Sequence, residues 1–353
     1  MYNHSVIFDD CVRLYNNLDH SKLKNSSVFV TGANGLIGSF IADFLCYLNK
    51  HHNYNIKILL TSYSSPDRAK RISHLIGRQN VTYMSWDSST KIDTEMLPKK
   101  LDFCFFCSGY GQPSKFLLNN VKTALLNVVG PESILNHMLS EGGNFVFLST
   151  SELYGDPPEE ALPTPETYCG SYELDNNRAA YKVSKSLGEV LCKEYNKDDK
   201  LSVKIARVAL TYGPGALRSD KRVLQEFIFK SETGEINMLD EGSSIRNYLY
   251  ITDSVEIIMN ILLHGKSMVY NVGGDTEPIS IYELATLIAN TTSASVVKGK
   301  KKNASVKTAP KNVGLSMRKY REEFDYGNNV VPLKQGLKNT IKWFNYGDKN
   351  ENG

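Results

Sequence analysis

No stretch of the sequence approaches the roughly 20 consecutive apolar residues of a membrane-spanning helix, so no membrane partner is expected. An excess of one charge is missing too: 41 Lys+Arg against 38 Asp+Glu leave a net +3, too little to steer the chain to nucleic acid or an anionic surface. The 6 cysteines are few and scattered, which suits a reducing cytoplasm better than a disulfide-stapled fold. The opening MYNHSVIFDDCVRLYNN carries acids and no long apolar core, so a cytoplasmic location is expected and a secretory signal is not. Internal repeats and low-complexity tracts are absent. Cys104 and Cys107 do form a CxxC, but inside the apolar run LDFCFFCSG. Strand alternation points the two thiols to opposite faces there, so packing is the expectation and no metal site is.

What is present is an alternation. SSVFVTG, NIKILLTS, NVTYMSW, LDFCFFCSG, NFVFLST and LSVKIARVAL are β-rich. Between them lie segments with helical apolar period: LIGSFIADFLCYLNK, SPDRAKRISHLIG, a long stretch from about Ser114 to Ser140, and RAAYKVSKSLGEVLCKEY. This order predicts an α/β fold, a Rossmann-type doubly wound parallel sheet with helices on both faces. Beyond TYGPG the segments become short and mixed, which predicts a smaller C-terminal α/β substrate lobe. The expected boundaries are 1–208 for the dinucleotide-binding domain, with return segments near 245–272, and 209–244 plus 273–353 for the lobe. The run KGKKKN reads as a solvated loop, and PLKQGLKNTIKWFNYG as a helix opened by proline.

Gly32, Gly35 and Gly38 in VFVTGANGLIGSF follow the first strand and open the first crossover helix. Glycines there let the backbone approach a pyrophosphate, which the helix N-terminus also attracts. With Asn34, Leu36 and Ile37 they form the expected dinucleotide turn. The second strand ends in LLTSYSSPDR, with no carboxylate before Asp67 to hold a ribose 2′-hydroxyl. Ser62, Ser64 and Arg68 could receive a 2′-phosphate instead, which favours NADP(H) and leaves NAD(H) possible. Asp87 is placed to meet the adenine, and Ser108 lies at the fourth strand end.

Tyr181 and Lys185 form YxxxK, which puts both on one face of a helix about one turn apart. A neighbouring ammonium, together with a cofactor cation, favours the phenolate and brings a tyrosine pKa toward the working range, so Tyr181 can trade protons with a sugar hydroxyl or ketone.

With TGANGLIG, Asn127 in LLNVVGP, STSELYGDP, RAAYKVSK, ARVALTYGPG, SSIRNYLYITD and YNVGG, the sequence resembles the extended short-chain dehydrogenase/reductase superfamily over nearly its whole length. It is most similar to the nucleotide-sugar epimerase/dehydratase branch, near UDP-glucuronate decarboxylases and O-antigen-cluster relatives. The resemblance implies that Thr150 hydrogen-bonds the sugar O4 beside Tyr181, and that Glu152 acts at C5 or O6. Ser151 stands where 4,6-dehydratases carry an acid, which disfavours loss of the 6-hydroxyl as water. Arg246 and Arg222 are candidates for the nucleotide diphosphate, Tyr154 is counted with the substrate contacts, and Arg178 braces the site. Asn271 reads as structural.

Three features depart from the decarboxylase pattern: SGYGQPSKF replaces a Ser-Pro-rich segment, Lys182 replaces an acid after Tyr181, and the second-strand acid is missing. The absent dehydratase acid and the absent ribose acid together favour reduction of a 4-keto group on an NDP-4-keto-6-deoxyhexose, as in dTDP-4-dehydro-6-deoxyglucose reductases of surface-polysaccharide (O-antigen) biosynthesis. A UDP-glucuronate decarboxylase or NDP-sugar 4-epimerase with retained NAD is the alternative. An NAD(P)-sensing binding protein would be signalled by a lost tyrosine or lysine, and both are present. A homodimer through the helix after Ser114 and the helix bearing Tyr181 is also expected.

Overall fold

Strands and helices alternate through the first half of the chain in the computed structural model, which describes residues 5–170, 174–274, 278–299, 312–324 and 330–351. After α1 (Ser5–Asn17) the order is β1 (Ser27–Thr31), α2 (Leu36–His52), β2 (Lys57–Ser62), β3 (Val81–Ser85), β4 (Phe103–Phe106), α3 (Pro113–Phe116), α4 (Asn120–Met138), β5 (Gly143–Thr150), α5 (Ala179–Tyr195) and β6 (Leu201–Val208). There follow β7 (Leu210–Tyr212), α6 (Val223–Ser231), β8 (Glu235–Asn237), β9 (Ile245–Arg246), β10 (Tyr248–Tyr250), α7 (Ile251–His264) and β11 (Val269–Val272). The chain continues through β12 (Ile279–Ser280), α8 (Ile281–Thr292), β13 (Ser295–Val297), β14 (Asn312–Val313), α9 (Arg318–Glu323) and α10 (Leu333–Glu351).

Seven strands form one parallel sheet in the order β3-β2-β1-β4-β5-β6-β11. Its central strands are near-continuous apolar runs because helices cover both faces; Phe29, Phe105, Phe106, Phe145 and Phe147 are fully buried between them. The chain builds outward from β1 through β2 and β3, then crosses to β4 on the other side. That reversal opens a crevice at the carboxyl ends of β1 and β4, where ligands of such sheets bind. The later segments add small sheets, β12-β9-β14 and β13-β8, and the pair β10-β7 beside the crevice. The C-terminal helix α10 buries Leu337, and Trp343 donates from Nε1 to the Ala216 carbonyl at 3.2 Å.

Two expected helices differ. SPDRAKRISHLIG forms only a 3₁₀ turn at Pro66–Arg68 and then successive turns, with Ile72 N to Ala69 O at 3.0 Å and Leu75 N to Ile72 O at 2.8 Å. Ala69, Ile72 and Leu75 are buried as a helix would have buried them. Arg71 is pulled instead onto the glycine turn, its N–H donating to Asn34 Oδ1 at 3.0 Å, and tertiary contacts of this kind override helix propensity. The stretch from Ser114 is two helices, α3 and α4, separated at 117–119. Of KGKKKN, residues 300–303 lie outside the described residues. Among the described residues no helix is long and apolar enough to cross a membrane.

Candidate active site

The carboxyl ends of β1, β4 and β5 open into a cavity of about 460 Å³. One half is lined by Gly32, Asn34, Gly35, Leu36, Ile37, Gly38, Ser62, Ser64, Asp87 and Ser108, the other by Thr150, Ser151, Glu152, Tyr181, Lys185 and Arg222.

At the glycine turn, Gly32 has φ +59°, and a Cβ there would lie 2.6 Å from the Cys107 carbonyl oxygen. A Cβ on Gly38 would sit 2.6 Å from Gly32 O, so the helix can start this close to the strand only without side chains. Gly35 is the N-cap of α2 and no side chain caps that end. The first amides of α2 are thus left for an anion, which the helix dipole also favours. Asn34 donates from Nδ2 to Ser64 Oγ at 3.2 Å, holding the turn against the end of β2.

Beyond β2, Ser62 is buried and its hydroxyl shares a 2.7 Å hydrogen bond with the Tyr83 hydroxyl. Arg68 does not join it: its side chain is 82% exposed, lies 3.8 Å from Asp67 and does not line the cavity. The 3₁₀ turn that replaces the expected helix carries Arg68 outward, which corrects its assignment to a 2′-phosphate. Lys122 on α4 stands at this end of the cavity instead, 3.9 Å over the Tyr63 ring and 2.7 Å from Asp87 Oδ2. Burial raises the Asp87 pKa, but hydrogen bonds from Lys122 and Ser89 outweigh it and hold the carboxyl below its ordinary range. Ser108 accepts from the Ser88 hydroxyl at 2.8 Å.

The other half is built by β5, the turn after it and α5. Tyr181 is buried and its hydroxyl is hydrogen-bonded to Thr150. Burial pushes the Tyr181 pKa up, the Glu152 carboxylate pushes it further, and the Thr150 hydrogen bond and Arg178 oppose them. Lys185 is buried with Nζ donating to the Leu148 carbonyl at 2.7 Å, and burial lowers its pKa to about 8. The expectation that Lys185 lowers the Tyr181 pKa is therefore not met by the chain alone, because desolvation dominates at both groups. Glu152 presents both carboxylate oxygens to Arg178 Nη1, each at 2.8 Å. Arg178 Nε is buried with no hydrogen bond.

Arg222 donates from Nη1 to Thr211 O at 3.0 Å, and its Nε is buried without a hydrogen bond beside the cavity. Arg246 does not line the cavity but lies close enough to feel the charges of Arg178, Asp156 and Glu152. Tyr154 is corrected: it is buried away from the cavity, donating to Asn271 Oδ1 at 2.6 Å and accepting from Arg207 Nη1 at 3.0 Å. It belongs to a buried network beneath the site. Glu189 on α5 accepts from the Ser149 hydroxyl at 2.6 Å, from Arg207 Nε at 2.9 Å and from Arg207 Nη2 at 2.7 Å. This network fixes the helix of Tyr181 and Lys185 against the strand end carrying Thr150. Of the CxxC, Cys104 is in the core and Cys107 reaches the cavity.

Sequence reasoning missed Phe116, Lys122, Arg71, Gln112 and Asp220, all of which line the cavity. For Phe116 and Gln112 the departure of SGYGQPSKF at the crevice was a usable signal; Arg71 and Asp220 meet across 149 positions and carried none.

A family model described as the NAD dependent epimerase/dehydratase family matches residues 28–273. UDP-glucuronic acid decarboxylase 1 of Danio rerio is 27% identical over 328 residues, covering 92% of this chain and 74% of the relative. UDP-glucuronic acid decarboxylase 6 of Arabidopsis thaliana is 30% identical over 267 residues, covering 75% and 74%. Among solved structures, the epimerase Mth375 of Methanothermobacter thermautotrophicus superposes with a TM-score of 0.77 at 22% identity, covering 99% of this chain and 98% of that one. The dTDP-glucose 4,6-dehydratase DesIV of Streptomyces venezuelae, with NAD and TYD bound, gives 0.76 at 19% identity, covering 92% and 98%.

Proposed function

The chain belongs to the NAD dependent epimerase/dehydratase family, and we propose that it decarboxylates a UDP-uronate by a redox-neutral cycle that begins and ends at sugar C4. The observation that carries this reading is Glu152, gripped by the buried Arg178 at 2.8 Å and electrostatically coupled to Tyr181. A group acting only at C4 needs Tyr181 and Thr150; a carboxyl group anchored beside them suits work at C5. The relatives named as UDP-glucuronic acid decarboxylases span most of the chain and support the same choice.

The residues fit a dinucleotide. The uncapped amides of α2 and the glycine cradle suit its pyrophosphate, Asp87 and Lys122 the adenosine end, and Lys185 and Tyr181 the nicotinamide end. NAD bound there supplies two-electron exchange with sugar C4. Thr150 orients the C4 hydroxyl and Tyr181 takes its proton. A ketone at C4 lies β to the C6 carboxylate, so the C5–C6 bond can break, CO₂ leaves, and the bonding electrons pass to the C4 oxygen as an enolate. A proton drawn from water and delivered to C5 on the Glu152 side then gives the ketone of a UDP-pentose; as C4 recovers the two electrons it gave up, Tyr181 returns the proton to O4. Ser151 offers no acid to expel a 6-hydroxyl. Arg222 holds the diphosphate in this reading, with Arg246 nearer the C5 side.

A second reading, reduction of an NDP-4-keto-6-deoxyhexose with NADP(H), is favoured by Ser62 standing where an acid would hold the ribose. One comparison decides. The protein is incubated with UDP-glucuronate and no added cofactor, and separately with a 4-keto-6-deoxy nucleotide sugar and NADPH. Release of CO₂ and formation of a UDP-pentose in the first supports decarboxylation; loss of NADPH absorbance in the second alone overturns it.

A further inference from the structure

One side chain joins the phosphate-binding turn to the loop after β7. Arg71 donates from Nη1 to Asn34 O at 2.9 Å, from Nε to Gly215 O at 2.6 Å and from Nη2 to Asp220 Oδ2 at 2.9 Å. Arg71 and Asp220 are both buried. Asp220 is shared: Gln112 donates to its Oδ1, the Leu217 N–H reaches Oδ2 at 3.3 Å, and Arg222 Nη2 lies 3.6 Å away. Arg71, Gln112, Asp220 and Arg222 all line the cavity that holds the glycine turn. The loop 213–222 thus bridges the crevice, tied at one side to the turn that would carry a pyrophosphate. At the other side it carries Arg222, whose buried Nε still lacks a hydrogen bond.

We propose that the Arg71–Asp220 pair is a latch that retains the dinucleotide, and that loop 213–222 must lift for it to leave. The proposal rests on the cofactor reading above and assigns residues to its retention. Lifting the loop would separate a buried cation from a buried anion before water can solvate either, and a buried pair broken in that way is costly. The pair therefore raises the barrier to release more than it raises affinity. Retention has a chemical use in a redox-neutral cycle, because the electrons taken from C4 must still be present when C4 is restored.

The test loads the purified protein with NADH and follows loss of its bound fluorescence after a chase with excess NAD⁺. Arg71→Gln and Asp220→Asn should each speed release at least about tenfold, while Arg218→Ala, which removes from the same loop the exposed side chain that pairs with Glu232 at the end of α6, should release at the wild-type rate. Thermal unfolding checks that each variant is folded. If Arg71→Gln does not fold, Gln112→Ala carries the test: it leaves the ion pair intact and should give an acceleration of about threefold. Variants that release NADH at the wild-type rate overturn the latch, and the decarboxylase reading survives that result. A wild type that releases NADH within one turnover, with variants faster still, leaves the latch standing and removes the retained-cofactor reading.

Discussion

Phe116 lies flat on Tyr181, the two rings 4.4 Å apart at their centres and 4° from parallel. The short helix α3, opened by Pro113, sets Phe116 there. The stack seals the phenol from water on one face, and burial is the largest influence raising its pKa. Phe116→Ala should admit water, and any limb of the pH–rate profile that reports Tyr181 should move to lower pH. An unmoved profile with full activity would show that the stack has no such effect.

Tyr181→Phe should lower turnover about 10²–10⁴-fold, the usual contribution of a positioned proton-transfer group. Binding of NADH, followed by fluorescence, should change little, because the ring and its stack on Phe116 remain.

Glu152→Gln separates the two chemistries. It removes the charge and cuts the ion pair with the buried Arg178. Under the decarboxylase reading CO₂ release should fall about as far as in Tyr181→Phe, roughly 10²-fold or more. Reduction of a 4-keto sugar would be only mildly slowed. Parallel assays with the two substrates give the answer.

Asp10 makes stability depend on pH. Burial raises its pKa to about 7, against the lowering influence of the Tyr250 hydroxyl and Arg13. The folded state therefore keeps a proton that the unfolded chain loses near pH 4, and the associated stability is fully present below that pH and is lost as pH rises to about 7. Asp10→Asn still accepts the Tyr250 hydrogen bond, seen at 2.8 Å, without the charge. Relative to wild type it should gain about 3–4 kcal/mol, at about 1.4 kcal/mol per pKa unit, and several degrees in Tm, on going from pH 4 to pH 8. Thermal scans at both values check it.

A homodimer should form through α4 and α5. Val121 and Leu125 on one helix and Val183, Leu187 and Val190 on the other are exposed, 38–76%, at helical spacing on two helices packed side by side. Leu187→Glu should give a monomer in sedimentation at micromolar concentration, where the wild type should sediment as a dimer.

The sheet was readable because its strands are long apolar runs separated by periodic helices, and Tyr181 with Lys185 because four residues is a helical turn. Gly32, Gly35 and Gly38 were readable for the same local reason. What escaped was set by contacts remote in sequence. Arg71 unmade a helix by bonding Asn34 and Asp220, and that rearrangement also swung Arg68 to the surface. Tyr154 follows the catalytic strand closely enough to look like a substrate contact, yet a 3₁₀ turn at Ser151–Tyr154 directs it to Asn271 and Arg207. Neither outcome has a signature in a window of neighbouring residues.

The buried arrangement of Ser149, Glu189 and Arg207 bears on how such a chain can drift. Losing Glu189 alone strands the Arg207 guanidinium, and losing Arg207 alone strands a carboxylate beside Lys185, each a change of several kcal/mol by order of magnitude (about 3–5 for a broken buried pair). Replacing both by apolar residues of similar bulk is far milder. Positions 189 and 207 should therefore be inherited as a pair: across any collection of homologous chains they should be kept together or exchanged together, and a chain bearing one without the other should be rare or poorly folded.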